Sequence, residues 1–344
     1  MNPKHASELA TPALIIDAEV LNQNLSTMAA RHPGSRLRPH VKAHKCTSLA
    51  RKQLEHGHAH FTCATPREVI GMARVGLGTD LLLANEVLDA DRLKALASVT
   101  ETSRVTIAVD SIETITAAQR AGLRDVLIDV NVGLPRCGIA PENAGRLADT
   151  ARAVGLTVRG VMGYEGHLMM VDGHAKRKQR VADSMALLVR AAQDVGGEII
   201  SAGGTGTWDL HEKTGINELQ AGSYALMDSQ YAQLGVPFAQ ALWVLGTVIS
   251  RSKDWLVIDV GLKSLSTDHG NPTVAGYDVM FCSDEHMTLT AKRDQDEPTR
   301  LANVGDKLRV TPSHIDPTIA IHKSAWVVRG ETIIDCWEID LRGW

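Results

Sequence analysis

From residue 19 to about residue 235 the chain switches repeatedly between two hydrophobic periods. Apolar residues spaced three and four apart, as on a helix face, give way to short apolar runs of strand type. "EVLNQNLSTMAARH" leads into "RLRPHV", "TSLARKQLEHG" into "AHFTCA", "PREVIGMARVGLG" into "DLLLAN" and "LDADRLKALASV" into "RVTIAVD". The series continues with "SIETITAAQRAGL" into "DVLIDVNV", "PENAGRLADTARAVG" into "TVRGVMGY" and the long "KRKQRVADSMALLVRAAQDVG" into "EIISAGG", and "NELQAG" closes it. Open doubly wound sheets alternate in the same way, but eight strands is the count of a closed barrel. The expected fold class is therefore α/β, a (β/α)8 TIM-type barrel over residues 19–238. Past about residue 240, "ALWVLGTVISRS", "DWLVIDVG", "KLRVTPSH", "AWVVRG" and "ETIIDCWEIDLRGW" read as strands joined by turns, with no convincing helix. They predict a smaller β domain of residues 239–344, joined by residues 1–18, where "TPALIIDA" reads as a further strand.

Composition narrows the class without naming it. With 344 residues the chain has room for a full barrel and a second core. The 36 basic residues against 40 acidic ones, a formal net charge of −4, recommend no nucleic-acid partner. No apolar run approaches a membrane span, and "MNPKHASELA" lacks the apolar centre of a signal peptide. The five cysteines are scattered and none stand at Cys-x-x-Cys spacing, so neither a disulfide framework nor a thiolate zinc site is expected. A reduced, cytoplasmic protein is expected from this usage.

In a parallel barrel the chemistry collects in the loops after the strands. The stretch "RPHVKAHKC" puts Lys42 just past the first strand, among Arg38, His40, His44 and Lys45. Crowding by other cations and partial burial favour the neutral amine that covalent chemistry needs. A solvated basic patch is the competing account. Arg136 follows the fifth strand in "NVGLPRCG", and Tyr164 and His167 follow the sixth in "GYEGH". "GGTGT", Gly203 to Thr207, follows the seventh strand, and "GSY", Gly222 to Tyr224, the eighth. Glycine turns after strands seven and eight are where barrels build phosphate sites from backbone amides and hydroxyls. Together with a lysine in the same mouth they point to pyridoxal 5'-phosphate; glycines serving only their turns are the lesser, competing account. "EHGHAH" places His56, His58 and His60 at alternating spacing, but before the second strand, at the end opposite the chemistry. His174, beyond "GYEGHLMMVDG", reads as a lid residue.

Taken together, "RPHVKAHKC", "NVGLPRCGI", "GGTGTWD", "ELQAGSYALMD", "DVGLKSLSTDHGNP" and "PSHIDPT" resemble the D-threonine aldolase and D-serine dehydratase family, in the same order from about residue 11 to residue 329. That resemblance implies the alanine-racemase-type fold, a (β/α)8 barrel followed by a β domain, and pyridoxal phosphate as cofactor. It implies that Lys42 is the Schiff-base lysine and that Arg136 lies near the pyridine ring and its phenolic oxygen. Thr205, Gly206, Thr207, Gly222, Ser223 and Tyr224 would surround the phosphate, and the β domain of one chain would cover the barrel mouth of another in a homodimer.

"PSHIDPT" sets His314 and Asp316 two apart, on one side of what reads as an extended segment. Imidazole with carboxylate suits a divalent cation acting as a Lewis acid, Mn²⁺ or Mg²⁺ before Zn²⁺. By the resemblance, aldolases carry His-x-Asp here and dehydratases usually His-x-Cys, so Asp316 favours the aldolase. Ala320 and His322 depart from the family's usual asparagine and aromatic, which bears on the substrate. The expected reaction is retro-aldol cleavage of a β-hydroxy-D-amino acid to glycine and an aldehyde. His167 would be the base at the β-hydroxyl, and Tyr164 would orient ring or substrate. A β-elimination dehydratase acting on D-serine or 3-hydroxyaspartate is the alternative, with Lys42 removing the Cα proton. An amino-acid racemase comes third, because it leaves the metal pair without work. A non-catalytic cofactor carrier would lack the β domain.

Overall fold

The computed structural model describes residues 3–292 and 301–344. In chain order the elements begin with β1 (Ala13–Asp17), α1 (Ala18–Arg31), β2 (Leu37–Pro39), α2 (Thr47–Glu55), β3 (His60–Cys63), α3 (Pro66–Arg74), β4 (Asp80–Leu83) and α4 (Ala90–Ala97). Next come β5 (Arg104–Val109), α5 (Ile112–Ala121), β6 (Asp125–Asp129), α6 (Ala144–Ala153), β7 (Thr157–Met162), α7 (His174–Val195), β8 (Ile199–Ala202), β9 (Glu218–Ala221) and α8 (Ser229–Ala232). The rest are β10 (Leu242–Arg251), β11 (Leu256–Ile258), β12 (Thr273–Val274), β13 (Tyr277–Cys282), β14 (Met287–Ala291), β15 (Lys307–Thr311), α9 (Ile315–Ile321), β16 (Ser324–Arg329) and β17 (Thr332–Glu338).

Two compact units result. One holds the described residues of Met1–Thr27, Ala43–Ser48 and Ser223–Arg342, the other Met28–Lys42, Leu49–Gly222 and Gly343–Trp344. The division at Gly222 and Ser223 falls ahead of the 238/239 boundary read from patterning, and Ala43–Ser48 groups with the β unit although it continues the basic stretch. Among the described residues no helix is long and apolar enough to cross a membrane.

The second unit is the barrel. Strands β2 to β9 form one all-parallel sheet in the order β2-β9-β8-β7-β6-β5-β4-β3, and a parallel bridge between His40 and Thr62 brings the end of β2 back to β3. Strand-to-helix turns carry their own start signals. Thr65 accepts from Glu68 N at 3.3 Å with Pro66 opening α3, and Ser111 and Thr114 form a reciprocal box that opens α5. Leu82, Ala108, Leu127, Met162 and Ile199 form an apolar cluster on consecutive strands of the sheet. Each large side chain among them contributes about 1.5–3 kcal/mol by leaving water.

Towards the N-terminal ends of the strands the interior is ionic instead. Arg38, 1% exposed, pairs with Asp80 Oδ1 at 3.1 Å and Glu218 Oε2 at 2.8 Å. Arg159 pairs with Asp80 Oδ2 at 2.8 Å and donates to Thr106 Oγ1 at 2.7 Å, and Ser201 donates to Glu218 at 2.7 Å. Burial opposes ionisation of Asp80, yet Arg159 and Arg38 hold its carboxyl below the usual carboxylate range.

The first unit is a nine-stranded sheet in the order β11-β14-β13-β12-β15-β10-β1-β16-β17, with a second pairing between β11 and β10 that closes β10 to β15 into a small antiparallel barrel. β1 runs antiparallel to β10 and parallel to β16. One expectation for this region is overturned: the segment after residue 240 contains a helix, α9, and that helix begins inside "PSHIDPT". Pro317 sits in its first turn, where proline costs no intrahelical hydrogen bond.

Candidate active site

The barrel's C-terminal mouth gathers several of the expected residues. Lys42 lies in a single tight turn, Val41–Ala43, directly after β2, half-buried beside the fully buried Val41. Arg136 lies in the loop after β6, its guanidinium carbon 5.2 Å from the centre of the Tyr164 ring. That loop is pinned from within, by Gly133 N–H donating to Asn131 Oδ1 at 2.9 Å and Asn131 Nδ2 donating to Leu134 O at 3.1 Å. His167 sits in the turn Gly166–Leu168 after β7 and packs its ring on Gly133, where a Cβ would lie only 3.0 Å from the ring. His167 Nδ1 is buried and bonds to no protein atom, and the same is true of Thr62 Oγ1 on β3. Buried polar atoms of this kind are ordinarily paired, so the one on His167 marks a place for a polar ligand.

The "GGTGT" turn follows β8, with Thr205, Gly206 and Thr207 all buried. A Cβ at Gly204 would approach Met169 Sδ to 2.9 Å and the Tyr164 ring to 3.7 Å, so the turn lies against the same tyrosine that carries Arg136. A buried turn of backbone amides, a nearby cation and an aromatic face suit an anionic group at one end of a flat polar ring.

Beneath the turn lie two residues the sequence reading did not single out. Glu165, fully buried, accepts from Gly203 N–H at 3.2 Å, from Thr207 Oγ1 at 2.8 Å and from His211 Nε2 at 3.0 Å. Burial works against its charge, but the His211 and Thr207 bonds outweigh that and hold the carboxyl below its usual range. Asp129, at the end of β6, goes the other way. Burial first, and then the neighbouring Glu86 carboxyl, push it up to about 8, with Arg136 opposing.

The remaining candidates belong to the β unit. Ser223 and Tyr224 follow Gly222 in the turn Ser223–Ala225. The Tyr224 ring is fully buried and tilts against Phe238 at 5.6 Å between ring centres, which leaves its backbone as the part to offer a phosphate. His314 stands at the N-cap of α9 and Asp316 in its first turn, so their approach is made by a helix start and not, as expected, by an extended segment. His314 Nε2 and Asp316 Oδ2 are 3.7 Å apart, close to the separation of roughly 3 Å that two ligands at about 2.1 Å from one cation adopt. Asp268 Oδ2 holds His314 Nδ1 at 2.7 Å, which turns Nε2 towards Asp316, the carboxylate–imidazole arrangement that supports metal ligands. Ser223 Oγ donates to Asp316 Oδ2 at 3.5 Å. Asp268, His269 and His314 also bring ligand atoms within 4.8 Å of one another. The two imidazoles, however, are stacked 4.0 Å apart and nearly parallel, so their in-plane lone pairs do not converge on one ion. The donor set that fits a divalent cation is His314 with Asp316.

Other histidines bond within the protein. His44, 1% exposed, accepts from Cys46 N at 3.2 Å, and Lys45 O accepts from Leu341 N at 2.9 Å, so this half of the basic stretch is stitched into the β unit. His56 and His58 bond to separate carbonyls, of Lys52 and Gly34, and His174 pairs with Asp209 at 3.0 Å. His322 is tied to Ser264 O at 2.7 Å, and burial keeps its imidazole below the usual histidine range despite that bond.

Comparison with known proteins identifies the family and the fold. The alanine racemase N-terminal domain family matches residues 16–230, and the putative serine dehydratase domain family matches residues 241–328. A D-threonine aldolase from an Arthrobacter species is 32% identical, over 97% of this chain and 93% of its own. A 3-hydroxy-D-aspartate aldolase from Paracoccus denitrificans is 34% identical, over 98% of this chain and 93% of its own. The crystal structure of a D-threonine aldolase from Filomicrobium marinum superposes with a TM-score of 0.92 at 34% identity, covering 99% of this chain and 98% of that one.

Proposed function

The chain belongs to the lyases of the D-threonine aldolase and D-serine dehydratase family, built on the alanine racemase fold, and we propose that it cleaves β-hydroxy-D-amino acids of the D-threonine type to glycine and an aldehyde. The observation that carries this over a dehydratase is the Asp316 carboxylate facing His314 Nε2 at the start of α9. A hard oxygen ligand there, in place of a thiolate, suits Mn²⁺ or Mg²⁺ before Zn²⁺.

Retro-aldol cleavage has two requirements. The β-hydroxyl must lose its proton as the new carbonyl forms, and the electron pair left at Cα must be accepted. Pyridoxal phosphate, when bound, supplies the electron sink, and a divalent cation on His314 and Asp316 supplies Lewis acidity towards the hydroxyl. The chain's own residues do the rest. Lys42 would hold the cofactor at its aldehyde end, from a turn whose position the end of β2 dictates. Arg136 and Tyr164 would orient the ring, and the turn 205–207 with Gly222, Ser223 and Tyr224 would take the phosphate. His167 Nδ1 takes the hydroxyl proton. A homodimer belongs to the same reading. The β unit leaves Trp255, Met280, Phe281 and Val304 each exposed, apolar side chains available to a second copy, and sedimentation velocity showing an active monomer would remove that part.

Product analysis with a panel of β-hydroxy-D-amino acids tests the reaction. Glycine and an aldehyde in equal amounts are expected; ammonia with a 2-oxo acid would replace this reading by the dehydratase. Exhaustive chelation should remove turnover while leaving the visible absorbance of the lysine-bound cofactor, and Mn²⁺ or Mg²⁺ should restore it. Full turnover with metal analysis showing no ion would remove the metal from the mechanism.

A further inference from the structure

We propose that Glu165 and His211 act as a clamp that holds the turn 203–207 in its phosphate-binding shape, working through Gly203 and Thr207 and touching no ligand themselves. This rests on the reading of that turn as the phosphate site, and it changes the part played by Thr207.

A threonine hydroxyl has one proton and two lone pairs. The Thr207 proton goes to Glu165 Oε1 at 2.8 Å. Its lone pairs face Gly204 N–H at 3.2 Å and His211 Nε2 at 3.1 Å. Nothing remains to donate to a phosphate, so the hydroxyl shapes the turn and leaves the anion to other groups. Glu165 Oε2 meanwhile takes Gly203 N–H at 3.2 Å, and Thr207 N–H closes the turn on Gly204 O at 3.2 Å. Four polar groups on the inner side of the turn are thereby committed.

Position 203 carries the same message. Gly203 has φ +91, and a Cβ there would stand 2.3 Å from Leu219 Cδ1 and 3.0 Å from His211 Nε2. The turn is seated directly on the clamp, and a side chain would lift it off. A buried carboxylate next to an anion site would by itself oppose phosphate binding. His211, 5% exposed, answers that charge with an Nε2–H shared between Glu165 and Thr207.

The test compares equilibrium binding of pyridoxal 5'-phosphate and of pyridoxal, which lacks the phosphate, to the cofactor-stripped full-length protein. Glu165→Gln keeps size and one acceptor but sets an NH₂ against a donor. The preference for the phosphorylated probe should fall about tenfold or more, with pyridoxal affinity nearly unchanged. Thr207→Val should do the same and Thr207→Ser should keep the preference. The double variant Glu165→Gln/Thr207→Val should lose no more than either single one, because both break one device. A wild-type preference that survives Glu165→Gln and Thr207→Val, or rises in the former, would overturn the clamp. Additive losses would mean that Thr207 binds phosphate independently, and would overturn it too. Equal affinity of the unaltered protein for both probes would instead overturn the phosphate reading of the turn.

Discussion

Both ends of the parallel barrel bury charge, and they do so in opposite ways. Near the N-terminal ends of the strands, Arg38 and Arg159 share Asp80 and reach Glu218 and Glu198, with Thr106 and Ser201 completing the set. Each cation there meets an anion. At the C-terminal mouth, His167 Nδ1 has no protein partner, and Asp129 is pushed up to about 8 by burial and by Glu86. A buried polar group that is answered within the chain serves the fold, whereas one left unanswered in a concave mouth serves a ligand.

The comparison is broken most severely at Lys42. Lys42→Ala should abolish the visible absorbance of the lysine-bound cofactor and lower turnover by at least about 10³-fold, while cofactor-free stability changes by less than about 0.5 kcal/mol. Borohydride labelling of Lys45, or of Lys263 within "DVGLKSLSTDHGNP", in the unaltered protein would show that the wrong lysine has been chosen. His167→Asn comes next. It should lower turnover by about 10²–10⁴-fold and leave the absorbance in place; unchanged turnover would take the proton away from His167.

Variants at the other end should show the reverse. Arg38→Met or Asp80→Asn strips one member from a buried ionic set and leaves its partners uncompensated, at a cost of about 3–5 kcal/mol in denaturant unfolding of the cofactor-free protein. Turnover per folded molecule should stay near that of the unaltered enzyme. If an Arg38 variant lost turnover with its stability intact, the two ends would be one functional system and the contrast would fail.

How much of this was legible follows from where each signal resides. The barrel shows in the chain because each strand and helix writes its own period, and Lys42, Arg136 and His167 are findable because they follow strands in sequence. Helix α9 reads as extended in the sequence because His314 and Asp316 stand two apart like strand residues, and Pro317 does not prevent the helix because a first turn accepts it. Glu165, His211 and Asp268 carry no local signal. Glu165 matters because His211, 46 positions on, comes within 3.0 Å of it, and Asp268 because His314 lies at the same sequence distance. Arg38 sat in the stretch that drew attention to Lys42, yet its partners Asp80 and Glu218 make it part of the ionic floor. Neighbours in sequence can therefore face different ends of one barrel, and only pairing across strands tells them apart.

The smallest effect expected is also the one that probes the mouth without substrate. An Asp129 carboxyl raised from near 3.8 to about 8 keeps its proton in the folded protein while the unfolded chain gives it up. Its contribution to stability is therefore complete below the unfolded value, and it is lost as pH rises until the folded group also ionises near 8. Within that window the slope is at most about 1.4 kcal/mol per pH unit, and above it the slope vanishes. Asp129→Asn removes the titration and keeps the shape. Its melting temperature, measured without cofactor, should thus decline less than that of the unaltered protein between pH 5 and about pH 8, and the two curves should run parallel above about pH 9. Glu86→Gln should soften the decline by removing the second carboxyl that raises Asp129. The floor offers the control, because Asp80 is held low by its arginines and its support fades only on acidification. Asp80→Asn should therefore leave the slope between pH 5 and pH 8 as it was. Parallel curves for Asp129→Asn and the unaltered protein across the whole window would mean that Asp129 is already ionised in the fold, answered by Arg136, and that the mouth is balanced as the floor is.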